Sequence, residues 1–306
     1  MRLKSLIKTF HEELDPIYGR EETNSFFNLL IEHYIYISRL KLILYPAFEI
    51  NERQTQLMLN ALTELKLHTP IQYILGETEF YGLPFKVDPS VLIPRPETEE
   101  LVEEVLMSLK KTAVGRENLR ILDIGTGSGC IAVTLAYYLQ NAQVYGLDVS
   151  KEALDMAKTN AQLNHVDVSF LKHDILNRSG AGFFAFGEPA SPAGRESRPN
   201  EEIQKFDVIV SNPPYVRQLE RDQMNPNVLD NEPHLALFVE NDNPLKFYKA
   251  ICEFAQEHLK KGGRLFMEIN EYLGTEMMKL LSDYDFDGIV LQKDIFGKDR
   301  IIKGSN

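Results

Sequence analysis

The chain has 306 residues, room for one large domain and a smaller one. Apolar residues make up 43% and charged residues 25%, ordinary globular values, and the formal charge of −12 argues against a protein that lives on a phosphate backbone. Cys130 and Cys252 give no disulfide framework, the seven histidines show no metal-ligand spacing, and no apolar run approaches the roughly 20 residues that span a bilayer.

From the N-terminus, Met1-Arg2-Leu3-Lys4 runs into an amphipathic stretch without the apolar core of a signal peptide, which reads as a cytoplasmic protein. Leu3, Leu6, Ile7, Phe10 and Leu14 recur at helical spacing, as do Phe27, Leu30, Tyr34, Ile37 and Leu44. Leu57, Leu59, Leu62 and Leu65 continue a third amphipathic segment, so residues 1–75 predict a small helical bundle. Residues 76–90 change character: Glu79 to Val87 reads as strand, turn, strand, punctuated by Gly82 and Pro84. Ile93-Pro94-Arg95-Pro96-Glu97-Thr98-Glu99 then opens a helix carrying Leu101, Val102, Val105 and Leu106. Arg95 and Glu97 read either as facing a ligand or as a charge pair at that helix start.

Residues 91–306 then alternate strands with helices. Leu119 to Ile124 is a strand, Gly125-Thr126-Gly127-Ser128-Gly129 a glycine turn, and Ile131 to Ala136 the start of a helix. That context makes the turn a nucleotide-site candidate, because glycines admit close backbone approach and a helix N-terminus favours an anionic group. The next strand, Gln143 to Asp148, ends in a carboxylate suited to both ribose hydroxyls, a feature that serves NAD and S-adenosylmethionine equally well. A third strand, Val166 to Leu171, is followed by Asp174, which reads either as reaching an adenine edge or as capping nearby backbone.

A further apolar run, Val208-Ile209-Val210, ends in Ser211-Asn212-Pro213-Pro214-Tyr215. The prolines stop the strand because neither can donate to a ladder. At the carboxyl end of a strand in an open sheet, the Asn212 carbonyl and the peptide oxygens of Pro213 and Pro214 offer acceptors suited to a planar NH2 group, as on adenine, guanine or a glutamine side chain. Strands near 120–124, 143–148, 166–171, 206–211 and 263–269, with two more near 288–292 and 300–303, predict an α/β fold with a doubly wound seven-stranded sheet.

Together the glycine loop, Asp148 and the Asn-Pro-Pro-Tyr turn resemble the Rossmann-like S-adenosylmethionine-dependent methyltransferases acting on nitrogen of planar amines. Pro70-x-Gln72-Tyr73-Ile74-x-Gly76, Phe80-Tyr81-Gly82 and Ile93-Pro94-Arg95-Pro96-Glu97-Thr98-Glu99 narrow this. So do Glu232-Pro233-x-x-Ala236-Leu237 and Asp294-x-x-Gly297-x-x-Arg300. They resemble the glutamine methyltransferases of release factors (the HemK/PrmC type) over nearly the whole chain.

The resemblance implies methyl transfer from S-adenosylmethionine to the glutamine side-chain amide of a Gly-Gly-Gln motif in a peptide-chain release factor. It implies that Gly125, Thr126, Gly127, Ser128 and Gly129 line the methionine end of the cofactor and that Asp148 holds the ribose. Asp174 and Ile175 lie at the adenine, and Asn212 borders both cofactor and substrate. Asn212 and the Pro213 carbonyl accept the amide hydrogens, with Pro214 beside them and Tyr215 packing on the substrate. It further implies an antiparallel last strand and division into a helical partner-binding domain (1–75), a β-hairpin linker (76–90) and a methyltransferase domain (91–306). Neither membrane nor direct nucleic-acid contact is expected. The rival reading is an amino-methyltransferase of nucleic acid bases, which shares the Asn-Pro-Pro-Tyr chemistry but calls for a basic recognition domain. Two departures from the family stand out: a Gly-, Pro- and Ser-rich insertion over 177–204, which reads as a mobile loop, and Glu268-Ile269-Asn270, where a small residue is more usual after Ile.

Overall fold

A computed structural model of the chain describes residues 1–44, 48–112, 118–177 and 205–306. They form two compact units, one of residues 1–77 with 224–231, the other of residues 78–223 with 232–306. The insertion read over 177–204 lies, from 178 onward, outside the described residues.

The first unit is helical: α1 (Leu3–Ile35), α2 (Arg39–Leu44), α3 (Glu52–Lys66), α4 (Ile71–Leu75) and the later α8 (Pro226–Asn231). Helix α1 is broken at Gly19 (φ 78°, ψ 164°), three residues after Pro16, which has no N–H to give the preceding turn. Its two halves share one core, in which Phe10 and Phe27 meet edge to face with ring centroids 5.1 Å apart. Helix α3 starts with a reciprocal capping box between Asn51 and Gln54. The stripe it buries is Met58, Ala61, Leu62 and Leu65, whereas Leu57 and Leu59 are only half-buried. The four buried positions follow i, i+3, i+4, i+7, so helix geometry chooses the methionine over the two flanking leucines.

The second unit opens with the hairpin of β1 (Glu77–Phe80, beginning at the last residue of the first unit) and β2 (Leu83–Lys86). Tyr81 and Gly82 between them both have positive φ (51° and 75°), the requirement of a type I′ turn, whose twist matches the strands it joins. There follow α5 (Pro96–Thr112), β3 (Arg120–Ile124), α6 (Cys130–Tyr138), β4 (Gln143–Asp148), α7 (Lys151–Leu163), β5 (Val168–Lys172) and β6 (Phe206–Ser211). A short strand β7 (Val216–Arg217) leads into a 3₁₀ turn over Gln218–Gln223; beyond the excursion through α8 come α9 (His234–Leu237) and β8 (Phe238–Val239), which pairs with β7. The chain ends with α10 (Lys246–His258), β9 (Leu259–Glu268), α11 (Gly274–Asp283), β10 (Asp287–Lys293) and β11 (Asp299–Ser305).

Seven of these strands form one sheet in the order β10-β11-β9-β6-β3-β4-β5. Five run parallel, while β11 is antiparallel to β9 and β10 antiparallel to β11. Successive residues of a strand face opposite sides. Ile121 and Val208 pack with Val102, Val105 and Ala132 on one side, while Leu122 and Ile209 pack with Ile251, Cys252 and Met277 on the other. Helices α5 and α6 therefore cover one face, and α10 and α11 the opposite one.

Two strands start elsewhere than the apolar pattern predicts. Strand β9 begins four residues before the anticipated Gly263, because Gly262 donates to Asn306 O at 2.7 Å and Asn306 N to Gly263 O at 3.0 Å, holding the irregular Lys-Gly-Gly stretch in the sheet. Strand β5 begins two residues late, since Val166 N still closes the end of α7 on Ala161 O at 3.0 Å.

Asn160 of α7 is wholly buried and ties the hairpin to the glycine turn. Its Oδ1 accepts from Lys86 N at 2.6 Å, and its Nδ2 donates to Lys86 O at 2.9 Å and Ser128 O at 2.8 Å. Asn160→Ala leaves these backbone groups without those partners. Urea unfolding is expected to show a loss of about 2–4 kcal/mol at unchanged m-value.

Candidate active site at the carboxyl edge of the sheet

Strand β3 is the switch point of the sheet: the chain proceeds outward through β4 and β5 on one side and returns to β6 and β9 on the other. Ligand crevices of open parallel sheets form beyond such a point. Register brings Ile124 opposite both Leu147 and Ser211, so the ends of β3, β4 and β6 are level. Ser211 Oγ donates to Ile124 O at 2.7 Å and pins two of these ends together.

The glycine turn leaves β3 at this edge. Gly125 N and Thr126 N both donate to Leu147 O, at 2.8 and 2.9 Å. Gly125 and Gly127 adopt positive φ (73° and 53°), and a Cβ added to Gly127 would meet nothing within 4 Å, so the backbone there is bare toward open space. Asp148 at the end of β4 accepts from Gly127 N and Ser150 N, both at 2.9 Å. These two donors pre-orient a carboxylate that retains acceptor capacity; burial raises its pKa against them. A cavity of about 200 Å³ opens here, walled by Gly125, Gly127, Asp148, Ser150, Asp174 and Ile175 on one side and by Asn212, Pro213 and Pro214 on the other.

Behind Asn212 stands a buried polar chain. Asn212 Nδ2 donates to Thr98 Oγ1 at 3.0 Å, and Thr98 Oγ1 donates to Glu268 Oε2 at 2.7 Å. The other oxygen of Glu268 accepts from Tyr215 OH at 2.9 Å, and Arg300 Nη1 lies 3.5 Å from that hydroxyl. Arg300 is itself held by Asp294, Nε to Oδ2 at 3.1 Å. Burial raises the Glu268 pKa, opposed by the hydrogen bonds from Thr98 and Tyr215 and by the Arg300 charge. Tyr215 is pushed well above the ordinary phenol value, chiefly by burial and then by the Glu268 charge.

The residues singled out from the sequence separate into two groups. Gly125, Gly127, Asp148, Asp174, Ile175, Asn212, Pro213 and Pro214 share the cavity wall. Thr126, Ser128, Gly129 and Tyr215 are not on it. Thr126 is buried and donates to Asp123 Oδ2 at 2.6 Å; Ser128 is buried, with its carbonyl on Asn160. A Cβ on Gly129 would come within 3.0 Å of Ala157 Cβ, so this glycine serves the packing of α6 on α7. Asp174, while on the wall, also accepts from Leu176 N at 3.0 Å, the capping arrangement. Neither Arg95 nor Glu97 lines the cavity: Arg95 pairs at 2.5 Å with Glu232, whose side chain is 1% exposed, rather than with its neighbour in sequence. Pro233 and Ala236, singled out only for family resemblance, also line the cavity, as do Ser90, His173 and Phe247, which lie outside every quoted motif.

Comparison with known proteins bears on this architecture. A family model described as "Methyltransferase domain" matches residues 116–285, and one described as "PrmC N-terminal domain" matches residues 6–76. A release factor glutamine methyltransferase of Flavobacterium psychrophilum is 45% identical over 99% of this chain and 99% of its own length. The chain belongs to the release factor glutamine methyltransferase family. A member from Bacteroides thetaiotaomicron is 37% identical over 95% of either chain, and one from Lactococcus lactis 38% over 83% of this chain and 84% of its own.

Within this methyltransferase fold, Asp123 is wholly buried beneath the glycine turn. Burial, opposed by the Thr126 hydrogen bond and reinforced by the Asp148 charge, pushes its carboxyl up to about 7 from an ordinary 3.8. The folded state thus binds this proton more tightly than the unfolded one. The resulting stability is fully present below about pH 4 and is lost as pH rises through about 7. Relative to Asp123→Asn, the unfolding free energy of the native chain is expected to fall by at most about 4 kcal/mol across that window. A wild-type-minus-variant difference that is flat with pH would show a carboxyl that stays ionised.

Proposed function

We propose that this chain transfers a methyl group from S-adenosylmethionine to the side-chain amide nitrogen of the glutamine in the Gly-Gly-Gln motif of peptide-chain release factors, in the cytoplasm and without direct contact to nucleic acid. Full-length identity of 45% to a relative bearing that activity in its name carries the reading. The formal charge of −12 supports a protein rather than a phosphate-backbone substrate. The match of residues 6–76 to the family's N-terminal domain supports a role for the helical unit in holding the release factor.

The cavity fits the cofactor chemically. Gly127 leaves the backbone bare where a ligand would lie, and Asp148 is fixed as an acceptor suited to vicinal hydroxyls. Asp174 and Ile175 offer a polar edge and an apolar face for the adenine. Bound there, S-adenosylmethionine supplies an electrophilic methyl group on a cationic sulfur.

The remaining work belongs to Asn212 and the prolines. An amide nitrogen is a poor nucleophile because its lone pair is delocalised into the carbonyl. Asn212 Oδ1 and the Pro213 carbonyl accept its two hydrogens, fix its plane and favour electron density on nitrogen. Neither proline carries an N–H that would compete as a donor. Positioning of this kind lowers a barrier by roughly 7–11 kcal/mol in favourable cases, and fixed acceptors add electrostatic preorganisation. Glu268 is engaged by Thr98 and Tyr215, so the amide proton leaves to water rather than to that carboxylate.

Mass spectrometry of the Gly-Gly-Gln peptide from a release factor incubated with enzyme and S-adenosylmethionine is expected to show one added methyl on the glutamine. Asn212→Ala is expected to abolish it while leaving cofactor affinity close to wild type; parallel loss of both would remove the acceptor role. Asp148→Ala is expected to weaken cofactor binding by roughly 10–100-fold in calorimetry, the scale of hydrogen bonds to a charged acceptor. An unmodified peptide alongside methylated duplex DNA or structured RNA would favour base methylation instead.

A further inference from the structure

Asn212 can serve as an acceptor only if Oδ1, not Nδ2, faces the cavity. The two ends of the amide are nearly the same shape, so packing alone does not choose between them. Hydrogen-bond polarity does. Arg300 only donates, so Tyr215 OH, 3.5 Å from it, directs its own proton to Glu268 Oε1 at 2.9 Å. Glu268 accepts on both oxygens, taking the Thr98 hydroxyl proton on Oε2 at 2.7 Å. Thr98 has no second proton. Its oxygen must therefore accept, and the Nδ2 of Asn212 supplies the donor at 3.0 Å. Among the described residues, Oδ1 of Asn212 takes no hydrogen bond.

We propose that Glu268, acting through Thr98, fixes the orientation of the Asn212 amide so that its oxygen is presented to the substrate. Both are positioning residues for the acceptor assigned above, and the inference rests on that assignment. Thr98 and Glu268 stand 170 positions apart, on the first turn of α5 and the last residue of β9. The strand end thus dictates the chemistry of a turn on its neighbour β6.

Glu268→Gln tests this with minimal change of shape. Tyr215 keeps the glutamine oxygen, so the glutamine NH2 faces Thr98. The Thr98 proton then turns to Asn212, whose amide rotates to meet it, and Nδ2 points into the cavity. Glu268→Gln, Thr98→Val, Thr98→Ser and Asn212→Ala are to be compared with wild type for kcat and KM on a release factor, S-adenosylmethionine affinity by calorimetry, and melting temperature. Glu268→Gln is expected to lower kcat by roughly 100-fold, the scale of a misdirected polar group in a reacting site, with affinity and melting close to wild type. Thr98→Val is expected to lose turnover and Thr98→Ser, which restores the hydroxyl, to retain it. Wild-type turnover in Asn212→Ala would overturn the acceptor assignment and this inference with it. An inactive Asn212→Ala beside a fully active Glu268→Gln would overturn the inference alone. Loss of affinity and melting in step with kcat would reduce Glu268 to a structural group. Where Glu268→Gln does not fold, equal activities of the two Thr98 variants would overturn the inference, and a serine-active, valine-impaired pair would support it.

Discussion

The level ends of β3, β4 and β6 are the constraint on which everything else rests. Ile124 is opposite Leu147 on one side and Ser211 on the other, so the glycine turn, Asp148 and Asn212 leave the sheet at one height. A slip of one residue in either pairing would move Asp148 or Asn212 by about 3.3 Å and exchange the faces on which their strands pack. Since Leu122 and Ile209 sit under α10 while Ile121 and Val208 sit under α5, such a slip would mismatch the packing of both cores at once. The geometry of the cavity is therefore fixed by apolar packing on both faces of the sheet.

On that frame the two walls of the cavity are made differently. The wall of the glycine turn is backbone: positive-φ glycines and peptide N–H groups that orient the Asp148 carboxylate. The Asn212 wall depends on side chains drawn from α5, β9 and β11, whose donors and acceptors must agree in direction from Arg300 to Asn212. Backbone-built recognition tolerates changes of side chain nearby. A directional relay does not, because a single group of the wrong polarity propagates along it.

Much of this is legible in the amino-acid sequence, for identifiable reasons. Buried parallel strands read as apolar runs, and those of β3, β4 and β6, ending in Gly125, Asp148 and Asn212-Pro213, announce both the sheet and the edge at which the cavity opens. The Tyr81-Gly82 turn was legible because local chemistry decides it. What escaped was set by long-range partners. Arg95 finds Glu232, 137 positions away, instead of Glu97, and Thr98 lies in the segment that opens α5 although its hydroxyl donates to Glu268. Met58 displaces Leu57 and Leu59 from the buried stripe because spacing, not hydrophobicity, selects a helix face. Thr126, Ser128 and Gly129 look like the rest of the glycine turn in one dimension but point inward in three.

Helix α8 adds a consequence of its own. Residues 224–231 belong to the helical unit, where Asn231 Nδ2 donates to His68 O at 3.0 Å, yet the flanking residues 223 and 232 belong to the other unit. The helical unit is therefore not a contiguous cassette. A recombination event that imported a foreign N-terminal segment up to residue 77 would bring α4's neighbours without α8, and the incoming bundle would have to accept the resident helix. Inheritance of the two units as a pair follows from chain connectivity alone.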